Sequence, residues 1–183
     1  MKKFAALFSD SYRELRSTRA ITVAAMFGAV SVVLGYFTIT VGDYVKIGFS
    51  SIAGQIVYYL FGPVLGGVFG GAMDVVKYLI KPTGPYFPGF TIDAAVAGLI
   101  YGCVYYRRTL TLRRVLAAEF LVCLVCNVFL ATFWLSVLYG KGFFMLLPMR
   151  VLKNLIMWPI NSLLFYTAAR GLEGAGVLRP LSS

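Results

Sequence analysis

From Ala20 to Ile39 the chain runs for twenty residues without a charged side chain. A helix needs about 20 predominantly apolar residues to cross a hydrocarbon core ~30 Å thick, so this run alone is long enough to span a membrane. More apolar stretches follow. Hydrophobic residues make up 60% of the 183, and charged residues only 13%. Soluble domains are about 45–50% apolar and roughly 25% charged. A protein this small has no interior that would hold the surplus, so lipid must cover it. The fold class expected is an all-α integral membrane protein, with residues 1–183 forming a single transmembrane domain.

Prolines, glycines and charges divide the remainder into spans. The apolar stretch from Phe49 to Ile80 is too long for one helix, and Gly62-Pro63 splits it, because proline cannot continue a helix. The six transmembrane helices expected in one bundle cover approximately 20–39, 45–61, 63–80, 91–106, 115–138 and 147–169. Thr91 is the expected N-cap of the fourth, with Asp93 in its first turn. Met1–Arg19 carries no cleavage site of a secretory signal, and the spacing of Tyr12, Leu15 and Arg19 suggests a short interfacial helix.

Orientation follows from the basic residues. Lys2, Lys3, Arg13, Arg16 and Arg19 precede the first span, Arg107, Arg108, Arg113 and Arg114 follow the fourth, and Arg170 and Arg179 follow the sixth. Six spans put these segments on one side, which the positive-inside rule makes the cytoplasm, with both termini there. The net charge of +10 is then a topology signal, and no nucleic-acid partner is expected. The outer loops fall near 40–48, 81–90 and 139–147.

Several chemistries are excluded. The chain has no histidine, which removes Ser-His relays and HExxH zinc sites. Cys103, Cys123 and Cys126 lie in apolar segments without a second ligand pair and read as small packing residues, so neither a metal nor a cofactor is expected. Asp74 and Asp93 lack the clustering that a lipid-modifying transferase would need. No GxxxxGK[ST] loop is present, so ATP hydrolysis, if it drives this protein, belongs to another subunit.

Charges inside spans cost roughly 2.5–3.5 kcal/mol each at a helix centre and so need a reason. Arg150, Lys153, Asn154, Trp158 and Asn161 share one face of the sixth span at 100° per residue. Either the two cations snorkel to the interface or the stripe faces a ligand. In the third span Gly62, Gly66, Gly70 and Asp74 recur at four-residue steps, with Gly67 and Gly71 beside them, a spacing that brings helices close. Asp74 either pairs with Lys77 or contacts a ligand. Glu119 has the arginine loop 107–114 as a possible partner and receives no function.

The segment Lys81–Phe90 is rich in proline and glycine and places Tyr86, Phe87 and Phe90 on a stiff outer loop. These aromatics suit stacking on a flat ring system or an interfacial aromatic belt; Trp134 and Tyr139 carry the same alternatives. The first span has two small-residue ridges, Ala20-xxx-Ala24-xxx-Gly28 and Ala25-xxx-Ala29. Cations, aromatics, amides and a carboxylate at the outer end together suit a flat, anionic, heteroaromatic small molecule.

Three segments resemble a known family: Lys46-Ile-Gly-Phe-Ser-Ser-Ile, Phe61-Gly-Pro-Val-Leu-Gly-Gly-Val-Phe-Gly-Gly-Ala-Met-Asp74, and Pro82-Thr-Gly-Pro-Tyr-Phe-Pro-Gly-Phe-Thr91 leading into Ala97-Gly98 and Gly102. They resemble the substrate-binding S component of energy-coupling factor (ECF) vitamin transporters, most closely the folate-specific branch. Ile52-Ala53 departs from the proline that family members often carry after the Lys46-like segment. The resemblance implies high-affinity vitamin binding near the extracellular side, a transmembrane coupling subunit and two cytoplasmic ATPases as partners, and toppling in the membrane to release substrate. It also implies that an AxxxA pair on the first helix, Ala25 and Ala29, contacts the coupling subunit, with Ala20 and Ala24 as the rival register. Folate would place its glutamate tail against Arg150, Lys153 and Lys81, and its rings among Tyr86, Phe87, Phe90 and Trp158. Another vitamin, such as riboflavin or thiamine, is the alternative substrate; a purely structural membrane protein is the alternative outside transport.

Overall fold

The computed structural model describes residues 2–36, 38–41, 45–48, 50–82, 86–140 and 143–174. Parts of the expected outer loops (Gly42 and Asp43, Thr83–Pro85, Lys141 and Gly142) and the tail after Gly174 lie outside the described residues.

The chain opens with α1, Lys2–Leu15, longer than the interfacial turn expected there, and continues into α2, Thr18–Tyr36. The first span stops earlier than its apolar run, because Thr38–Val41 is a strand, β1. Thr-Ile-Thr-Val is wholly β-branched, and such side chains lose rotamer freedom in a helix but fit a pleated ribbon. β1 pairs antiparallel with β2, Val45–Gly48, in the register Thr38↔Gly48 to Val41↔Val45. The first outer loop is therefore a β-hairpin within an otherwise helical fold, and the start of the second span at residue 45 is corrected by it.

Next comes α3, Ser50–Ile80, broken at Gly62 with φ 81° and ψ −168°. A side chain at that φ would be strained, and a Cβ there would stand 2.9 Å from the Tyr106 ring. Residues 50–61 run to the break and 63–80 fold back from it, as the Gly62-Pro63 pair predicted. The buried Ser11 hydroxyl donates to the Phe61 carbonyl at 2.7 Å and accepts from the Val64 amide at 2.9 Å, which satisfies backbone groups freed by the break.

α4, Pro88–Tyr105, starts three residues before the expected Thr91, with Pro88 in its first turn, where a missing amide costs nothing. Asp93 is thus beyond the first turn, and Thr91 is not a cap. The fifth span is one continuous rod: α5, Leu112–Val122, a π-helical stretch, Cys123–Leu130, and α6, Ala131–Tyr139. The last helix, α7, Phe143–Gly174, contains Pro148 and Pro159 and extends past both ends of the sixth expected span.

The core lies where α3 meets α4, and small residues make that meeting possible. A Cβ on Gly66 would approach the Gly98 carbonyl to 2.9 Å, and one on Gly70 the Ala94 carbonyl to 2.5 Å. The glycine ridge is packing, as its spacing suggested. Beside it Tyr58, Tyr101, Tyr105 and Phe165 stack in sequence at centroid separations of 5.8, 5.6 and 5.3 Å. Glu119 is buried here, away from the arginine loop expected to pair with it. Its two oxygens accept from Gln55 Nε2 at 2.6 Å and from Tyr101 Oη at 2.9 Å.

Among the described residues, four helical segments (Thr18–Tyr36, Ser50–Ile80, Pro88–Tyr105 and Leu112–Leu138) are long and apolar enough to cross a membrane. Large apolar side chains such as Leu79, Phe129 and Leu155 are outward and exposed, the surface expected of a multi-pass helical membrane protein. Its two ends differ. Arg107 pairs with Asp10 at 2.8 Å, and Tyr59 Oη donates to Glu173 at 3.2 Å, so α1, the break in α3, the arginine loop and the end of α7 gather at one end. The hairpin and the segment after Lys81 lie at the other.

Candidate functional site

A cavity of about 490 Å³ opens at the hairpin end. That volume lies within the ~300–1,000 Å³ usual for small-molecule sites. Five helices build it: the C-terminal turns of α2, the outer end of α3 with the residues that follow it, the start of α4, and the facing sides of α6 and α7.

The α3 wall carries the polar groups. Asp74, Lys77, Tyr78 and Lys81 follow one another at steps of three, one and three residues, so they share a face, and all four line the cavity. Asp74 and Lys77 do not form a contact ion pair; Asp74 is held from the neighbouring helix. Thr91 Oγ1 on α4 donates to Asp74 Oδ2 at 2.8 Å, and Tyr86 Oη lies 3.0 Å from Thr91 Oγ1. A hydroxyl has one proton, and that of Thr91 is committed to Asp74, so Tyr86 is the donor in its own contact with Thr91. The result is a relay, Tyr86 to Thr91 to Asp74, that fixes the carboxylate at the cavity wall. Lys81 Nζ stands 5.7 Å from the centre of the Tyr36 ring, a cation–π contact between α3 and α2.

Aromatic rings make the second wall. Phe87 and Phe90 pack edge to face at 6.1 Å, and Phe87 rests 5.6 Å from Trp134. Tyr86 leans on Tyr78 at 5.0 Å. These contacts order the ring faces that a flat ligand requires. Trp134 Nε1 is buried with no hydrogen-bond partner, which marks its place as packing support behind Phe87. The side chain of Tyr139 lies outside the described residues.

Arg150 supplies the cation of the opposite wall. The π-helical turn in the fifth span presents the Asn127 carbonyl, and Arg150 Nη1 donates to it at 3.3 Å. Asp93 on α4 keeps one buried oxygen without a hydrogen-bond partner and attracts Arg150 electrostatically. The cavity thus presents guanidinium and ammonium groups, a fixed carboxylate and ordered aromatic faces, enough to bind carboxylates, ring N–H groups and a flat ring at once.

Of the residues singled out in the sequence, Asp74, Lys81, Tyr86, Phe87, Phe90 and Arg150 meet here. Lys153, Asn154 and Trp158 do not line the cavity. Lys153 is exposed and Asn154 half-buried. Trp158 Nε1 donates to the Leu116 carbonyl at 2.9 Å and its ring packs on Phe120, so it fastens α7 to α5. Arg150 stands at the outer end of that stripe along α7, and it is the one stripe residue in the cavity lining. Lys77 and Tyr78 were missed as cavity-lining residues, although their register with Asp74 and Lys81 was visible in the sequence.

The small residues of α2 separate by face. Ala20, Ala24 and Gly28 are buried, with Gly28 against Met73 and Phe69 of α3, whereas Ala25 and Ala29 are exposed on the opposite side.

The family model described as ECF transporter, substrate-specific component, matches residues 19–169. Folate transporter FolT of Clostridium novyi is 34% identical over 138 residues, covering 75% of this chain and 80% of that protein. Folate transporter FolT of Leuconostoc mesenteroides is 31% identical over 150 residues, covering 79% and 80%. The crystal structure of FolT bound with folic acid superposes with a TM-score of 0.74 at 34% identity, covering 85% of this chain and 95% of that one.

Proposed function

The chain belongs to the family of ECF transporter substrate-specific components, and on that premise we propose that it captures folate in the cavity at its hairpin end for ATP-driven uptake. The observation that carries the substrate is the combination of ordered aromatic faces with Arg150, Lys77 and Lys81 around one fixed carboxylate, Asp74. Folate has a pterin to stack, ring N–H groups for a carboxylate to accept, and a glutamate tail for the cations. In this reading the rings lie among Tyr86, Phe87 and Phe90, and the tail meets Arg150 and the lysines. Both the family and the chemistry describe a binding component, not an enzyme.

The fold then reads as one transmembrane domain over the whole chain with six spans, since α3 crosses twice by turning at Gly62-Pro63. The end that gathers Arg13, Arg107, Arg108, Arg113 and Arg114 faces the cytoplasm with both termini, and the cavity faces outward across the cell membrane of a prokaryote. A transmembrane coupling subunit and two cytoplasmic ATPases complete the transporter. Ala25 and Ala29, exposed on α2, are the contact proposed for the coupling subunit; the rival pair Ala20 and Ala24 is already buried within the chain.

The test is a titration of the purified chain in detergent with folate, riboflavin and thiamine, following tryptophan fluorescence. Saturable submicromolar quenching by folate alone supports the reading. A response to one of the others in place of folate overturns the substrate while leaving the scaffold.

A further inference from the structure

A second cavity, of about 500 Å³, lies at the opposite, basic end, between α1, the start of α2, the break in α3 and the end of α4. Folate binding at the hairpin end makes no use of it. One half of its lining is cationic: Arg13 from α1, Arg19 from α2 and Arg107 after α4. Glu14 is the one carboxylate in the lining, and Asp10 ties Arg107 from outside it at 2.8 Å. A third carboxylate, Glu173, accepts from the lining Tyr59 at 3.2 Å, and within the lining itself three guanidinium groups face the one carboxylate of Glu14. The other half is apolar, formed by Val23, Leu60 and Phe61. Elsewhere on α2, Ile21 and Met26 are exposed.

Depth distinguishes this cavity from a site for a soluble anion. Phe8 and Tyr12 are exposed on α1 beside Arg13 and Arg16, the arrangement of a helix lying at a membrane surface. A soluble phosphate would make no use of the apolar half formed by Val23, Leu60 and Phe61. A phospholipid would fill both halves, its phosphate among the arginines and the first part of an acyl chain along Val23 and Phe61. Tyr59 and Tyr106, also in the lining, supply rings and hydroxyls of the kind enriched at headgroup depth.

We propose that this cavity is a binding site for an anionic phospholipid, which seats its phosphate between α1 and the arginine that follows α4 and so clamps the amphipathic helix to the bundle. The site requires a monoanionic headgroup; a zwitterionic headgroup carries its own ammonium, which the arginines repel.

The test uses the full chain in a non-ionic detergent. Dioleoylphosphatidylglycerol, the phosphatidylcholine with the same chains, and inorganic phosphate are each titrated against the melting temperature. The expected result is a saturable rise with phosphatidylglycerol, little with phosphatidylcholine and none with phosphate. The double variant Arg13→Gln/Arg19→Gln removes two cations and weakens phosphatidylglycerol binding about 30-fold, at the usual contribution of a basic residue near an anionic surface. Val23→Trp, which keeps the charges and fills the apolar half, also abolishes the rise. Arg108→Gln/Arg113→Gln, outside the cavity at the same end, leaves it intact. Far-UV circular dichroism and a monodisperse elution profile establish that each variant is folded. Equal responses to both lipids, a rise with phosphate alone, or an unchanged response in the Arg13/Arg19 variant overturns the proposal. Folate titration of the same preparations reads the other end of the molecule, so failure of the lipid site and failure of the folate assignment are distinguishable.

Discussion

Thr91 Oγ1 donates a 2.8 Å hydrogen bond to Asp74 Oδ2, joining the start of α4 to the outer end of α3 across the cavity wall. With Tyr86 donating in turn to Thr91, three residues from two segments set the direction of one carboxylate. Replacing Thr91 by valine keeps the shape and removes the donor. Hydrogen bonds to charged groups contribute roughly 1.5–3 kcal/mol, so T91V is expected to weaken folate binding about tenfold or more while the chain still folds. Calorimetric titration of T91V against the parent checks this; equal affinities would show that the orientation of Asp74 does not matter to the ligand.

The two cations of α7 are expected to behave differently. Arg150 lines the cavity, and Lys153, three residues on, is exposed outside it. R150M is expected to raise the folate Kd by about ten- to a hundredfold, the cost of losing a charge-assisted contact to a carboxylate. K153M is expected to stay within about twofold, as an exposed charge contributes little. A pteroate comparison sharpens the measurement. Pteroate lacks the glutamate tail, so R150M should lose far less affinity for it than for folate.

How much of this was legible beforehand depended on whether a residue's signal was local. The Gly62-Pro63 break and the glycine ridge were visible because backbone sterics act within a few residues. The hairpin was concealed by apolarity: Thr38–Val41 satisfies a hydropathy count as well as a helix would, and only its unbroken β-branching spoke for a strand. Trp158 was misassigned for another reason. Its place on a polar stripe was clear, but which neighbour the stripe meets depends on how α7 turns against α5, and the Leu116 carbonyl that receives its indole is 42 residues away in sequence. Glu119 likewise found Gln55, 64 residues distant, in place of the nearby arginines. The Asp74–Lys81 face was readable throughout; attention to the Asp74–Lys77 pair concealed its full length.

The two tryptophans make the site observable. Trp134 rests against Phe87, which lines the cavity, whereas Trp158 is fastened between α5 and α7. A folate-induced fluorescence change should therefore come from Trp134. In W134F the quench is expected to fall to a small residue at unchanged affinity by calorimetry, and in W158F it should persist nearly in full. Quenching lost in W158F and kept in W134F would place the ligand at the other tryptophan.

The Glu119 cluster sets stability rather than binding. A carboxylate with two donors and no cation is held in the interior of the bundle, and the remaining Gln55 oxygen has no partner. E119Q removes the charge and keeps an oxygen for Tyr101, while its amide replaces the oxygen that accepts from Gln55 Nε2, so Gln55 must turn over and offer its own oxygen, exchanging one orphaned atom for another. It should be neutral or stabilising. E119L leaves the Gln55 amide and the Tyr101 hydroxyl unpaired and is expected to destabilise by about 1–3 kcal/mol for each buried group left without a partner. Thermal unfolding in detergent ranks the three proteins, and an E119Q less stable than E119L would show that the cluster depends on its charge.

The two faces of α2 differ in burial, and the proposed contact with the coupling subunit uses the exposed one. Ala24 is buried within the chain, while Ala25 and Ala29 are exposed on its outer side, so bulk at the two positions should have different consequences. A25W/A29W covers the outer face with indoles without disturbing the contact with α3. It is expected to leave folate affinity and melting temperature of the isolated chain within error, and to abolish co-purification with the coupling subunit and folate uptake in reconstituted vesicles. A24W forces a large side chain into a packed interface, where overpacking costs typically 1–3 kcal/mol, and should lower the melting temperature before any question of assembly arises. Full uptake by A25W/A29W would remove these alanines from the contact and leave another face of the bundle to meet the coupling subunit.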